Sequence, residues 1–127
     1  MRSINDILDD QLPVVFLGSS TGMYNQIDIC RARGRQVVGI IDEDYSSQTE
    51  LHGLPILKEI PSNCEFFVAT SWTPFDGPVF ERNRDKRLQL LEFMKANQLP
   101  GATLIHPTTV VSPGALVGRN VSIGAQG

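Results

Sequence analysis

Residues 105–127 read IHPTTVVSPGALVGRNVSIGAQG, and Ile105, Val111, Val117 and Ile123 recur in it at every sixth position. The residues that follow them, His106, Ser112, Gly118 and Gly124, are mostly small, and Thr109, Ala115 and Val121 complete a second file of small or β-branched side chains. A period of six is neither the 2 of a strand nor the 3.6 of a helix. It is the pattern of a hexapeptide parallel β-helix, where one aliphatic residue per short flat strand points inward and small residues occupy the turns. The plain alternative is a chance coincidence in a Val-rich loop; the agreement of the intermediate positions argues against it. One triangular coil takes three hexads, and such coils bury a continuous core only when stacked. The segment is therefore expected to continue beyond Gly127, or else to pack on the preceding domain or on another subunit.

Upstream of this stretch the chain alternates strand and helix signals. Val14-Val15-Phe16-Leu17 is a continuous apolar run closed by Gly18, as expected of a strand buried on both faces of a parallel sheet. After a Gly/Ser/Thr loop, Met23, Ile27 and Cys30 fall on one helical stripe, with Arg31 and Arg33 in the last turn and Gly34 as the C′ residue. Val37-Val38-Gly39-Ile40-Ile41 is a second buried strand, which completes a βαβ unit of right-handed crossover. Leu54-Pro55-Ile56-Leu57 reads as an edge strand because Pro does not suit a central one, and Glu65-Phe66-Phe67-Val68-Ala69 as a further buried strand. Residues 70–78 and 43–50 read as loops, and a helix is expected from about Asn83 to Asn97, burying Leu88, Leu91 and either Met94 or the stem of Lys95. Ser3, with Asp6 three residues on, predicts a short opening helix over 4–10. The fold class predicted is α/β: a small doubly wound parallel-sheet domain over 1–102, then the first hexapeptide repeats over 103–127.

Composition narrows the classes further. In 127 residues, 41% hydrophobic and 20% charged content excludes intrinsic disorder and a collagen-like chain. Eleven Lys and Arg against fourteen Asp and Glu give a net charge of −3, so no global basic field for nucleic acid is present. No apolar window is long enough for a membrane span, and the acidic start MRSINDILDDQ is unlike a secretory signal, so a cytoplasmic protein is expected. With only Cys30 and Cys64, two buried reduced thiols are expected rather than a disulfide or a metal site.

The candidate binding residues gather at the carboxyl ends of the predicted strands, where open α/β sheets take ligands. In Gly18-Ser19-Ser20-Thr21-Gly22 the first glycine permits a sharp turn, the following helix start presents N–H groups to a phosphate, and three hydroxyls add donors. The dinucleotide fingerprint G-x-G-x-x-G is absent, because Ser20 and Met23 stand where glycines are required, which disfavours NAD and suits a shorter ligand. The alternative is a tight turn with Ser20 or Thr21 as helix N-cap. Asp42, 24 residues beyond Gly18, stands close to where an acidic residue reads ribose hydroxyls; the alternative is a plain loop-starting Asp. Asn83, Arg84, Lys86 and Arg87 put cations into early helical turns against the dipole preference, offset by a phosphate, by Glu81 and Asp85, or by solvent. Trp72 either stacks on a base or sugar ring or covers the core.

Together these motifs, VVFLGSSTG, IIDED and IHPTTVVSPGALVG, resemble the sialic acid O-acetyltransferase (NeuD) and bacterial sugar N-acetyltransferase (PglD) family. The resemblance covers essentially the whole chain and only the first part of that family's architecture. It implies a Rossmann-like N-terminal domain that binds a sugar or nucleotide sugar. It also implies a left-handed β-helix that binds acetyl-CoA between neighbours of a homotrimer and supplies the catalytic histidine farther along. His106 matches the structural I-H-P start of that region, so no catalytic residue is expected here. The resemblance implies the substrate-binding part of an acetyl-CoA-dependent N- or O-acetyltransferase acting on bacterial surface-glycan precursors. Gly18, Ser19, Ser20, Thr21, Gly22, Asp42, Trp72, Asn83 and Arg87 are then the substrate-binding candidates. The alternatives are a non-catalytic Rossmann-type sensor of a nicotinamide or CoA cofactor, which the missing glycines disfavour, and a domain that merely orients a trimerising β-helix.

Overall fold

The computed structural model describes residues 2–3, 12–20, 22–70, 78–108, 116–117 and 121–123. Its elements are strands β1 (Arg2–Ser3), β2 (Val14–Leu17), β3 (Val37–Ile41), β4 (Glu50–Leu51), β5 (Leu54–Pro55), β6 (Glu65–Val68), β7 (Leu104–Ile105), β8 (Leu116–Val117) and β9 (Ser122–Ile123). The helices are α1 (Met23–Ala32) and α2 (Pro78–Ala96), with a 3-10 turn over Glu43–Tyr45. The central sheet is parallel with order β3-β2-β6. It is extended at its two edges by single bridges from Ile56 to Ile40 and from Gly101 to Phe66.

The apolar runs seen in the sequence form this sheet because both of its faces are covered. Val14, Phe16 and Ile40 pack with Met23, Ile27, Ile29 and Cys30 of α1 on one face. Val15, Leu17, Phe66 and Val68 pack with Leu90, Phe93 and Met94 of α2 on the other. With β2 in the middle, the winding direction reverses there, which opens a crevice at the carboxyl end of the sheet.

Both helix ends follow from local chemistry. At the end of α1 the Gly34 N–H donates to Arg31 O and the Arg35 N–H to Cys30 O, with Gly34 at φ +70°, a Schellman motif at the predicted C′ residue. The same two-bond closure ends α2 on Gln98, at φ +54°, with the Leu99 N–H donating to Met94 O. Helix α2 starts five residues before the expected Asn83, at Pro78, whose fixed φ suits a first turn. Its buried stripe also differs from the expectation. Leu88 and Leu91 are 54% and 36% exposed, whereas Leu90, Phe93 and Met94, at i, i+3 and i+4, face the sheet. Packing selected that stripe; α2 carries apolar residues on more than one side, so periodicity alone did not decide it.

Residues 54–57 behave as an edge: Leu54–Pro55 pair antiparallel with Glu50–Leu51 across a His52-Gly53 turn with both φ positive. At the amino end of the sheet, Arg35 and Glu65 form a buried ion pair at 2.9 Å, and the guanidinium also donates to Leu12 O and Thr103 O. Cys30 and Cys64 are buried free thiols. Burial pushes the Cys30 thiol up to about 11, and pushes Cys64 up as well.

The C-terminal strands bear on the six-residue period. Strands β7 and β9 are parallel, with Leu104 opposite Ser122 and Ile105 opposite Ile123, an offset of eighteen residues or three hexads. The Leu104 N–H donates to Val121 O and the His106 N–H to Ile123 O. Strand β8, which carries Val117, pairs antiparallel with β1. Arg33 Nε donates to Ile105 O at 2.8 Å, and Leu104 is buried in the α1 cluster, so this end of the chain sits against α1. Val111 and the predicted opening helix over 4–10 lie outside the described residues. Among the described residues no helix is long and apolar enough to cross a membrane.

Candidate functional site

The site is built from the ends of β2 and β3 and the first half of α2. The chain leaves β2 through Gly18, whose N–H donates to Ile41 O and whose φ of +78° is in the left-handed region. A Cβ there would lie 2.9 Å from Leu90 Cδ1 and 3.1 Å from Thr70 Cγ2, so glycine also lets α2 and the end of β6 approach the turn. The loop beyond Gly18 leads into α1, whose N-cap is Gly22 with no side-chain cap bond. Ser20 is therefore not the N-cap; it supplies a backbone carbonyl to the Met23 N–H instead. Thr21 lies outside the described residues.

Asp42 ends β3 and is buried. Its Oδ2 accepts from Ser19 Oγ at 2.8 Å, and its Oδ1 accepts from Lys86 Nζ at 2.8 Å and from the Asp44 N–H at 3.1 Å, which caps the 3-10 turn. Lys86 Nζ also donates to Asp44 Oδ2 at 2.7 Å. Partial burial pulls the Lys86 ammonium down, but the hydrogen bonds and charges of Asp42 and Asp44 outweigh it and hold its pKa above the ordinary lysine value. The buried carboxylate is thus paired and fully engaged, as a charge at such a place must be.

Beside this cluster lies a cleft of about 630 Å³. Its apolar floor is Ile41, Leu90 and Phe93; its walls carry Asp42, Glu43 and Asp44 on one side and Glu81, Arg82, Asp85, Lys86 and Gln89 of α2 on the other. That volume is ordinary for a small-molecule site, and its place at the carboxyl end of a parallel sheet is where such folds take ligands.

Of the residues singled out from sequence, the structure brings Gly18, Ser19 and Asp42 together. Arg87 is half-buried and does not line the cleft, whereas Lys86 does. Asn83 lies on α2 with its side chain outside the described residues, and Trp72 lies outside them altogether. Sequence reading missed Lys86 as the partner of Asp42, because 44 residues separate them, and it missed Arg82 and Gln89 as cleft walls. The signal for the latter was the spacing Arg82, Lys86, Gln89, Leu90, Phe93, which puts them along one side of a helix. His106 Nδ1 bonds Thr108 Oγ1 at 2.8 Å and accepts the Thr108 N–H, so its ring is tied into its own turn. Among the described residues no group of three or more His, Cys, Asp or Glu is placed to hold a metal.

No protein-family model matches the chain, and no curated protein matches it. Solved structures do. The chain is similar to two histidine-substituted variants of perosamine N-acetyltransferase from Caulobacter crescentus, each in complex with CoA and GDP-perosamine, at a TM-score of 0.66. It is similar at 0.65 to PerB from the same organism with the same two molecules bound. The structural neighbours are sugar acetyltransferases. In all three the identity is 25%, over 89% of this chain and 51% of the neighbour's, so the chain spans about half the length of the structures it matches. The likeness extends over the mixed α/β fold and its small parallel sheet.

Proposed function

We propose that residues 1–102 are the nucleotide-sugar-binding part of an acetyl-CoA-dependent sugar acetyltransferase, and that residues 103–127 open its left-handed hexapeptide β-helix. The observation that carries the reading is the cleft beside Ser19, Asp42 and Lys86 at the carboxyl end of the parallel sheet. It is supported by neighbours whose structures hold both CoA and GDP-perosamine. The parallel pairing of β7 with β9 at an offset of eighteen residues supports the β-helix, since eighteen residues is the length of one three-hexad coil.

In this reading the loop that follows Gly18 and the start of α1, which has no side-chain cap, receive the phosphates of the substrate. Asp42, buried and engaged by three donors, positions the Ser19 hydroxyl and the Lys86 ammonium beside the cleft, where Lys86 supplies countercharge to the substrate. Trp72, Asn83 and Arg87 remain candidates for contacts to the sugar. Acetyl-CoA, when bound, supplies an activated thioester. Acceptor amine or hydroxyl attacks its carbonyl carbon, the acceptor's proton passes to a general base, and CoA leaves as the thiol. The resemblance assigns that base to a histidine farther along the β-helix, and the assembly to a homotrimer.

Calorimetry with UDP-, CMP- and GDP-sugars, NAD(H) and CoA tests the reading. Binding of at least one nucleotide sugar, weakened about tenfold or more by Asp42→Asn, is the expected result. Tight nicotinamide binding with no response to any nucleotide sugar would favour the sensor instead.

A further inference from the structure

Lys86 lies between two carboxylates that hold it very differently. Its Nζ is 2.8 Å from Asp42 Oδ1 and 2.7 Å from Asp44 Oδ2. The Asp42 side chain is fully buried and also accepts from Ser19 Oγ and the Asp44 N–H. Taking the ammonium away would leave a buried charge without its counterion, so this contact is fixed. The Asp44 side chain is 69% exposed, and water solvates its carboxylate as soon as the lysine leaves. An ion pair so open to solvent contributes little, so this second contact is exchangeable.

The lysine also stands where a substrate anion would arrive. A Cβ on Gly18 would lie 3.9 Å from Lys86 Cε, so the lysine stem runs along the turn that opens the loop into α1. The cleft beside it sets Asp42, Glu43, Asp44, Glu81 and Asp85 against only Arg82 and Lys86. An anion gains in such surroundings only by drawing a cation away from a resident carboxylate. Of the two carboxylates on Lys86, Asp44 is the one that can give way. Its side chain cannot withdraw far, because its own N–H is held by Asp42 Oδ1.

We propose that Asp44 is a placeholder: its carboxylate holds the position on Lys86 that a phosphate of the nucleotide sugar takes, and the two compete for the ammonium. The proposal rests on the nucleotide-sugar reading and adds to it a residue that restrains affinity. Titration calorimetry of the 127-residue chain with GDP and with UDP tests it on wild type, Asp44→Asn, Lys86→Gln and the double variant. Asp44 is exposed and Asn keeps its size, so the fold is retained. Asp44→Asn binds both diphosphates roughly three- to tenfold more tightly than wild type, the opposite sign to that of a residue that contacts the ligand. Lys86→Gln weakens binding, and in that background Asp44→Asn changes affinity less than about twofold. Unchanged or weaker binding by Asp44→Asn overturns the proposal. An equal gain with and without Lys86 also overturns it, since Asp44 is then only a general repulsive charge. Either result leaves the nucleotide-sugar reading standing, whereas absence of binding by all four proteins defeats both.

Discussion

Gly18 is where the geometry of single residues matters most. Its positive φ was legible, because a glycine closing an apolar run before a Ser/Thr loop is a turn signal. Its second constraint, the approach of Leu90 and Thr70, was not, since both come from distant parts of the chain. Gly18→Ala therefore adds left-handed strain to a steric push on α2. Urea denaturation is expected to show a loss of roughly 1–3 kcal/mol. Lys86 is the converse case, a residue whose charge was noticed and whose partners were not. Its folded pKa lies above the unfolded one, so the stability from its pairing is fully present below the ordinary lysine value and disappears as pH rises through the folded pKa. The difference in urea midpoint between wild type and Lys86→Gln should stay constant from pH 7 to 9 and shrink above about pH 10.5. A difference that grows over that upper range would mean that the aspartates are not what holds the lysine.

Elements that read as buried apolar runs were legible almost to the residue: β2, β3, β6 and α1 lie where their hydrophobic pattern put them. The reason is physical, since strands covered on both faces leave no ambiguity of side. Helix α2 was harder. Its leucines lie on more than one side, and the choice of Leu90 over Leu88 and Leu91 was made by the sheet beneath it. The ion pair of Arg35 with Glu65, which ties the amino ends of β3 and β6 to the segments at Leu12 and Thr103, left no sequence signal either. Helix ends offer a cleaner comparison. Helix α1 closes on Gly34 and α2 on Gln98, in the same left-handed conformation. Only glycine adopts it without a steric penalty. Gln98→Gly is expected to raise stability by about 1 kcal/mol in thermal or urea unfolding. No change, or a loss, would show that the Gln98 side chain compensates for its backbone.

For the molecule as a whole, the α/β unit and the C-terminal strands are joined by contacts that the six-residue period could not foretell. Leu104 is in the core of the α/β unit, Arg33 holds the carbonyl of Ile105, and Gln26 Nε2 lies 3.4 Å from Ser122 Oγ. Strands β7 and β9 meet at an offset of eighteen residues, three steps of the six-residue period. Chemistry was legible in part. The Gly18 turn, Ser19 and Asp42 converge, while the cleft wall on α2 depends on a helix that starts earlier than its sequence suggested. The account as a whole depends on a nucleotide sugar lying across the carboxyl end of the sheet. Backbone amide chemical-shift mapping during titration with a nucleotide-diphosphate sugar tests that most directly. The account predicts saturable shifts confined to residues 18–22, 42–44 and 81–93. No shifts, or shifts centred on residues 104–106 and 121–123, would contradict it.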